Sequence, residues 1–179
     1  REGGVGSWGR EIARVGRRSA RRRASAQAGE PASRVEPSDV EEFLGIPRFV
    51  REEVERRERI GLATGLAWTA GGGSLLFIET TLMPGNGKIQ ITGQLGDVMR
   101  ESAEIAMSWV RSNAESLGIE PEVFARSDVH VHAPEGAVPK DGPSAGVTLV
   151  TALTSLFTGK AVRTDLAMTG EVTLKGRVL

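Results

Sequence analysis

No cysteine occurs among the 179 residues of the chain. Disulfides, a thiol nucleophile and cysteine-ligated zinc are excluded at once, and a reducing, cytoplasmic setting is expected. Histidine is almost as rare: the two present are His130 and His132. No HExxH or comparable ligand set accompanies them, so no metal site is expected. No apolar run is long enough to span a bilayer, and a membrane role is not expected either. A signal-peptide pattern is missing, and Arg1 stands where a methionine would open a complete protein, so a piece of something longer is expected.

Net charge is also absent, at +0, but the zero hides an uneven layout. Residues 1–34 hold nine Arg against three Glu, whereas residues 35–59 hold five Arg against eight acidic residues. The arginines between Arg10 and Arg23 lie mostly on a different helical face from Ile12, Val15 and Ser19, which predicts an amphipathic helix. A solvated face is the simplest reading of those arginines; contact with DNA or another polyanion is the second, weakened by the lack of interleaved aromatics. Residues 26–39, AQAGEPASRVEPSD, break the helical period. A short helix follows, capped by Ser38 or Asp39, with Val40, Phe43 and Leu44 inward and Gly45 and Pro47 as its stop. The charged stretch VREEVERRERI (50–60) reads as a connector. The expected organisation is a helical domain over 1–47 and a second domain over 48–179.

From Gly61 the pattern becomes strand-like. Two apolar segments around Leu66–Trp68 and Leu75–Leu82, separated by glycines, predict a hairpin, and Pro84 to Gly87 predict a turn before the alternating Lys88 to Thr92. GNGK within that turn lacks the spacing and the Ser or Thr of a phosphate-binding loop. A helix is expected from Asp97 to Leu117, with Val98, Ser102, Ile105, Ala106, Trp109 and Leu117 along its inner stripe and Gly118 as its stop. Pro121 to Ser127 reads as a connector. Strict alternation over 128–133 predicts a strand with both histidines on one face. Short strands flanked by these helices make the class α+β.

The richest stretch chemically is PKDGPSAG, residues 139–146. Asp141 is a plausible helix cap, Pro143 suits a first helical turn, and Val147 to Phe157 continue as a buried helix. Ser144 therefore sits at a helix start, where unpaired N–H groups and the positive dipole end favour a developing oxyanion, with small neighbours leaving room for a peptide. A serine there is also commonly just a cap, and spacing alone leaves both readings open.

PEGAVPKDGPSAG and AMTGEVTLKGRVL, with GIPRF at 45–49, GLATGLAWT at 61–69 and TGQLGDVMRESA at 92–103 in the same order, resemble the proteolytic domain of the Lon family of ATP-dependent serine proteases. The resemblance runs from about residue 40 to Leu179, and residues 1–39 more weakly resemble the end of the small helical subdomain of the family's AAA+ module. It implies a ribosomal-protein-like mixed sheet with flanking helices, Ser144 as the nucleophile of a Ser-Lys dyad, Thr169 as a residue whose hydroxyl helps hold that lysine, and Asp141, Glu79 and His130 as residues that line or order the site. It also implies protein substrates that are damaged, unfolded or regulatory, a homohexameric ring, and ATP with Mg2+ acting on a module upstream of Arg1. The family's lysine lies in a Gly-rich segment after GRVL. Lys88, Lys140, Lys160 and Lys175 do not match it, so residues 1–179 alone are expected to be inactive. Gly6 stands where the family usually has a nucleotide-sensing arginine, which puts that sensing in doubt. A Lon-like assembly platform without proteolysis is the alternative, disfavoured by the intact motif around Ser144.

Overall fold

The computed structural model describes residues 5–25, 34–46, 58–69, 72–134 and 140–179. Most of VREEVERRERI, parts of GIPRF and the 135–139 stretch of the serine motif lie outside the described residues. The chain divides into two compact units, Arg1–Glu52 and Glu53–Leu179.

The first unit holds α1 (Val5–Ser25) and α2 (Asp39–Leu44). No described residue of α1 is buried, and Val5, Trp8 and Ile12 are exposed. Its charged side meets α2: the Arg22 guanidinium donates to Asp39 at 2.9 Å and lies 5.4 Å over the buried Phe43 ring, and Arg18 donates to the Glu42 carbonyl at 2.9 Å. The bond from Arg22 holds the Asp39 carboxyl below its usual range. Two of the expected solvated arginines are thus engaged locally. The Ser38 side chain makes no cap bond, and the Asp39 carboxylate accepts the Glu36 amide at 2.9 Å. Val40, expected inward, is 39% exposed.

The second unit carries β1 (Leu62–Thr69), β2 (Gly72–Pro84), β3 (Ile89–Thr92), α3 (Asp97–Ser112), α4 (Ala114–Leu117), α5 (Val123–Arg126), β4 (Ser127–His132) and α6 (Gly146–Thr158), in an α+β arrangement. The sheet order is β1-β2-β4-β3. β1 and β2 form the expected antiparallel hairpin and β2 pairs antiparallel with β4, while β3 pairs parallel with β4. Parallel pairing requires a crossover, and α3 to α5 supply it. The turn before β3 is held by Asp128, whose Oδ1 accepts the Asn86 and Lys88 amides at 2.9 and 2.8 Å. A carboxylate therefore occupies the anion-sized nest of GNGK.

One face of the sheet packs on α3 and α6. Ala63, Leu76, Ile78, Val129 and Val131 meet Ala103, Ala106, Val110, Leu149, Ala152 and Leu153 there, and all are buried. Burying each large aliphatic side chain contributes about 1.5–3 kcal/mol. The inner face of α3 is wider than the expected stripe: Ser102 and Ala106 are buried and Trp109 and Leu117 pack against the core as expected, but Val98 is 42% exposed, while Met99, Ala103, Met107 and Val110 are buried as well. Small Ala103 and Ala106 let the helices approach, a requirement that outweighs burying every large residue. The helix also breaks before Leu117. The Asn113 side chain donates to the Trp109 carbonyl at 2.8 Å, and α4 restarts beyond it to end at the left-handed Gly118. The expected connector at 121–127 contains α5, because Phe124 is buried against Phe157 with ring centroids 4.6 Å apart.

Candidate functional site

Ser144 lies in a single 3-10 turn, Pro143–Ala145, directly ahead of α6. It is exposed. Its hydroxyl has no hydrogen-bond partner among the described residues, and its carbonyl accepts the Gly170 amide at 2.7 Å. The hydroxyl is thus not consumed as an interior cap.

Asp141 does not cap the helix that follows it. The cap positions are Gly142 and Ala145, neither with a side-chain cap bond. Instead Asp141 Oδ1 accepts the Met99 amide at 3.0 Å and the Gly142 amide at 2.9 Å. Met99 is in the first turn of α3, whose cap residue Gly96 offers no side chain, so the orphan amide there draws its acceptor from a distant loop. A Cβ on Gly96 would lie 2.3 Å from the Asp141 carboxyl carbon, so this approach requires glycine. The backbone closes the same junction: Gly96 donates to Lys140 at 2.8 Å and Lys140 to Gln94 at 3.2 Å. The loop carrying Ser144 is therefore pinned to the start of α3.

Thr169 lies beside the same turn, its Oγ1 donating to the Ser144 carbonyl at 3.4 Å, at the weak end of hydrogen bonding. Glu79 and His130 are elsewhere. Strand alternation turns Ile78 and Thr80 toward α6, with Thr80 Oγ1 donating to the Ala152 carbonyl at 3.3 Å, so Glu79 and Thr81 face the opposite side of the sheet. His130 and His132, opposite Thr81 and Glu79 in register, share that outer face. These residues line a concavity of about 400 Å³ together with Arg59, Ile60 and Leu62, and Ser144 is not among its lining residues. The sequence reading missed Thr92, whose hydroxyl lies 2.9 Å from His130 Nε2 and 2.7 Å from His132 Nδ1. A hydroxyl can donate to one neutral imidazole and accept from the other, so it links the pair. The alternation of Lys88 to Thr92 carried a signal for it, but the parallel pairing that brings Thr92 to the histidines did not show in the pattern. Among the described residues, no group of three or more His, Asp and Glu side chains could hold a metal ion.

Residues 34–179 match the family described as the Lon protease (S16) C-terminal proteolytic domain. The chain belongs to the Lon protease family. Over its whole length it is 57% identical to Lon protease of Anaeromyxobacter dehalogenans, covering 21% of that protein. It is 53% identical to the Lon proteases of Desulfovibrio desulfuricans and Aquifex aeolicus, covering 20% and 22% of them. The chain thus spans about a fifth of the length of these Lon relatives. The Lon match takes in the whole second unit, including the Ser144 turn, the Thr169 segment and both faces of the sheet.

Proposed function

We propose that Ser144 is the nucleophile of a Lon-type serine endopeptidase that works with an ATP-driven module elsewhere in the whole protein. The observation that carries this reading is an exposed serine hydroxyl without a partner among the described residues, held at a helix start in a chain of this family. The hydroxyl attacks a peptide carbonyl. Amides at the start of the Pro143–Ala145 turn, ahead of the Gly146 and Val147 amides that are already bonded, receive the oxyanion, and the resulting acyl-enzyme reacts with water. The proton passes to a lysine and then to the leaving amine.

A lysine serves as base only where desolvation or a neighbouring cation keeps its amine neutral. Lys88, Lys160 and Lys175 are exposed, and Lys140 Nζ donates to the Pro134 carbonyl at 2.7 Å. None of the four suits the role, so the base is a lysine outside residues 1–179, and these residues alone do not hydrolyse peptides. Asp141 and Thr169 order the turn, whereas Glu79 and His130 stand apart from it on the outer face of the sheet. Substrates are unfolded or damaged proteins and selected regulators, delivered in the cytoplasm into a hexameric ring by ATP and Mg2+ acting on residues outside this chain.

The test is a fluorogenic peptide assay on the full-length protein, its Ser144→Ala variant and residues 1–179 alone. Ser144→Ala should lower turnover by about 10³-fold or more. Turnover by that variant at the unsubstituted rate would refute the nucleophile, and equal turnover by the 179 residues would refute the external base.

A further inference from the structure

The Ser144 turn is held from outside its own helix. Gly170 donates its amide to the Ser144 carbonyl at 2.7 Å, and its own carbonyl accepts the Val147 amide at 3.0 Å. One residue therefore spans the turn, taking the carbonyl before α6 and an amide within its first turn. In a continuous helix the Val147 amide would point to the carbonyl four residues back, at Pro143. That carbonyl is taken by the Gly146 amide, so Gly170 completes what the tighter turn leaves open.

The segment bearing Gly170 is itself tied to the sheet. Met168 donates to the Thr64 carbonyl at 3.1 Å and accepts the Leu66 amide at 3.0 Å, along the edge of β1. Thr151 Oγ1 lies 3.3 Å from Met168 Sδ, joining the segment to α6. Contact at the turn is too close for side chains. A Cβ on Gly146 would lie 2.7 Å from the Val172 backbone nitrogen, and a Cβ on Gly170 would lie 2.8 Å from Val178 Cγ1 at a backbone φ of +155.

We propose that Gly170 is a positioning residue for the proposed peptidase: its two backbone bonds astride the turn, made possible by the missing side chain of Gly146, fix where the Ser144 hydroxyl points. This rests on Ser144 being the nucleophile. The sheet edge at β1, through Met168, sets the serine relative to any substrate lying beside that edge. Displacing a nucleophile by about 1 Å can lower a rate ~10²-fold without changing how substrate binds.

The test uses the full-length protein with Gly146→Ala, Val147→Pro, Gly170→Ala and Ser144→Ala, measuring kcat and KM for a fluorogenic peptide, labelling by a small fluorophosphonate, and thermal unfolding. Gly146→Ala favours the helix intrinsically yet wedges the Val172 backbone away, and Val147→Pro removes one amide at a helix start where proline is tolerated. The expected result is a fall in kcat of about 10- to 100-fold for Gly146→Ala and Gly170→Ala. KM should stay within about twofold and fluorophosphonate labelling should slow in parallel, for Val147→Pro as well, because only the hydroxyl has moved. Native kcat and labelling in a folded Gly146→Ala or Val147→Pro protein, with Ser144→Ala inactive, would overturn the positioning role alone. Turnover by Ser144→Ala would instead overturn the nucleophile, and the positioning role with it.

Discussion

At the scale of the residue, Asp141 shows what local spacing can and cannot convey. A carboxylate just ahead of a helix start reads as that helix's cap, and the serine motif around it is legible in the sequence. Its actual partner, the Met99 amide, is 42 residues away, so no window along the chain connects them. Gly96 carried the only local sign, as a cap residue with no side chain to offer. The exchange predicts how Asp141 variants behave. Asp141→Ala leaves the first turn of α3 uncapped and should cost about 1 kcal/mol, the usual value of a lost cap. Asp141→Asn keeps an acceptor oxygen and should cost less. Urea denaturation measures the difference; equal losses for the two variants would mean that charge, not the hydrogen bond to Met99, is what matters. Turnover of a peptide should follow the same order, since the loop released is the one that carries Ser144.

At the scale of the element, alternation and turn residues placed the β1–β2 hairpin and the histidine strand, because each depends on neighbours in sequence. The parallel β3–β4 pair and the additional buried residues of α3, Met99, Ala103, Met107 and Val110, did not show, because each is decided by what packs across the sheet. The turn joining β2 to β3 depends on a partner from another strand in the same way. Asp128 is held below the usual carboxylate range, first by the Lys88 amide and then by the Asn86 amide. A carboxyl lowered on folding stabilises the fold above its unfolded pKa of about 4, and that contribution disappears as pH falls through the folded value. Asp128→Asn should therefore be less stable than the unsubstituted protein near neutral pH. The gap should stay level down to about pH 5 and close in more acid solution. Thermal unfolding from pH 7 to 3 checks this, and a gap that widens on acidification would contradict it. The same change should leave the hairpin of β1 and β2 intact, since its pairing does not involve the turn.

At the scale of the molecule, the division of labour between the two units is visible in where burial occurs. Every residue of the main core cluster lies between Ala63 and Leu153, within Glu53–Leu179, while the buried Phe43 of the first unit packs under Arg22. A composition shift from Arg-rich to strand-like sequence hinted at two regions, but the contacts that close each one do not appear in composition. Since hydrophobic burial is the main favourable term in folding, a unit that encloses its own core should fold without its neighbour. A chain of residues 53–179 should accordingly retain cooperative unfolding, and the amides of Ile78, Val131 and Leu149, at fully buried positions, should exchange as slowly as in the longer chain. Leu149→Ala in that shorter chain should cost about 2–5 kcal/mol, because the cavity opens between α6 and the sheet where nothing else can fill it. Loss of slow exchange in the unsubstituted 53–179 chain would show instead that the first unit contributes directly to the stability of the second, and that the Ser144 turn depends on residues far upstream of the sheet that supports it.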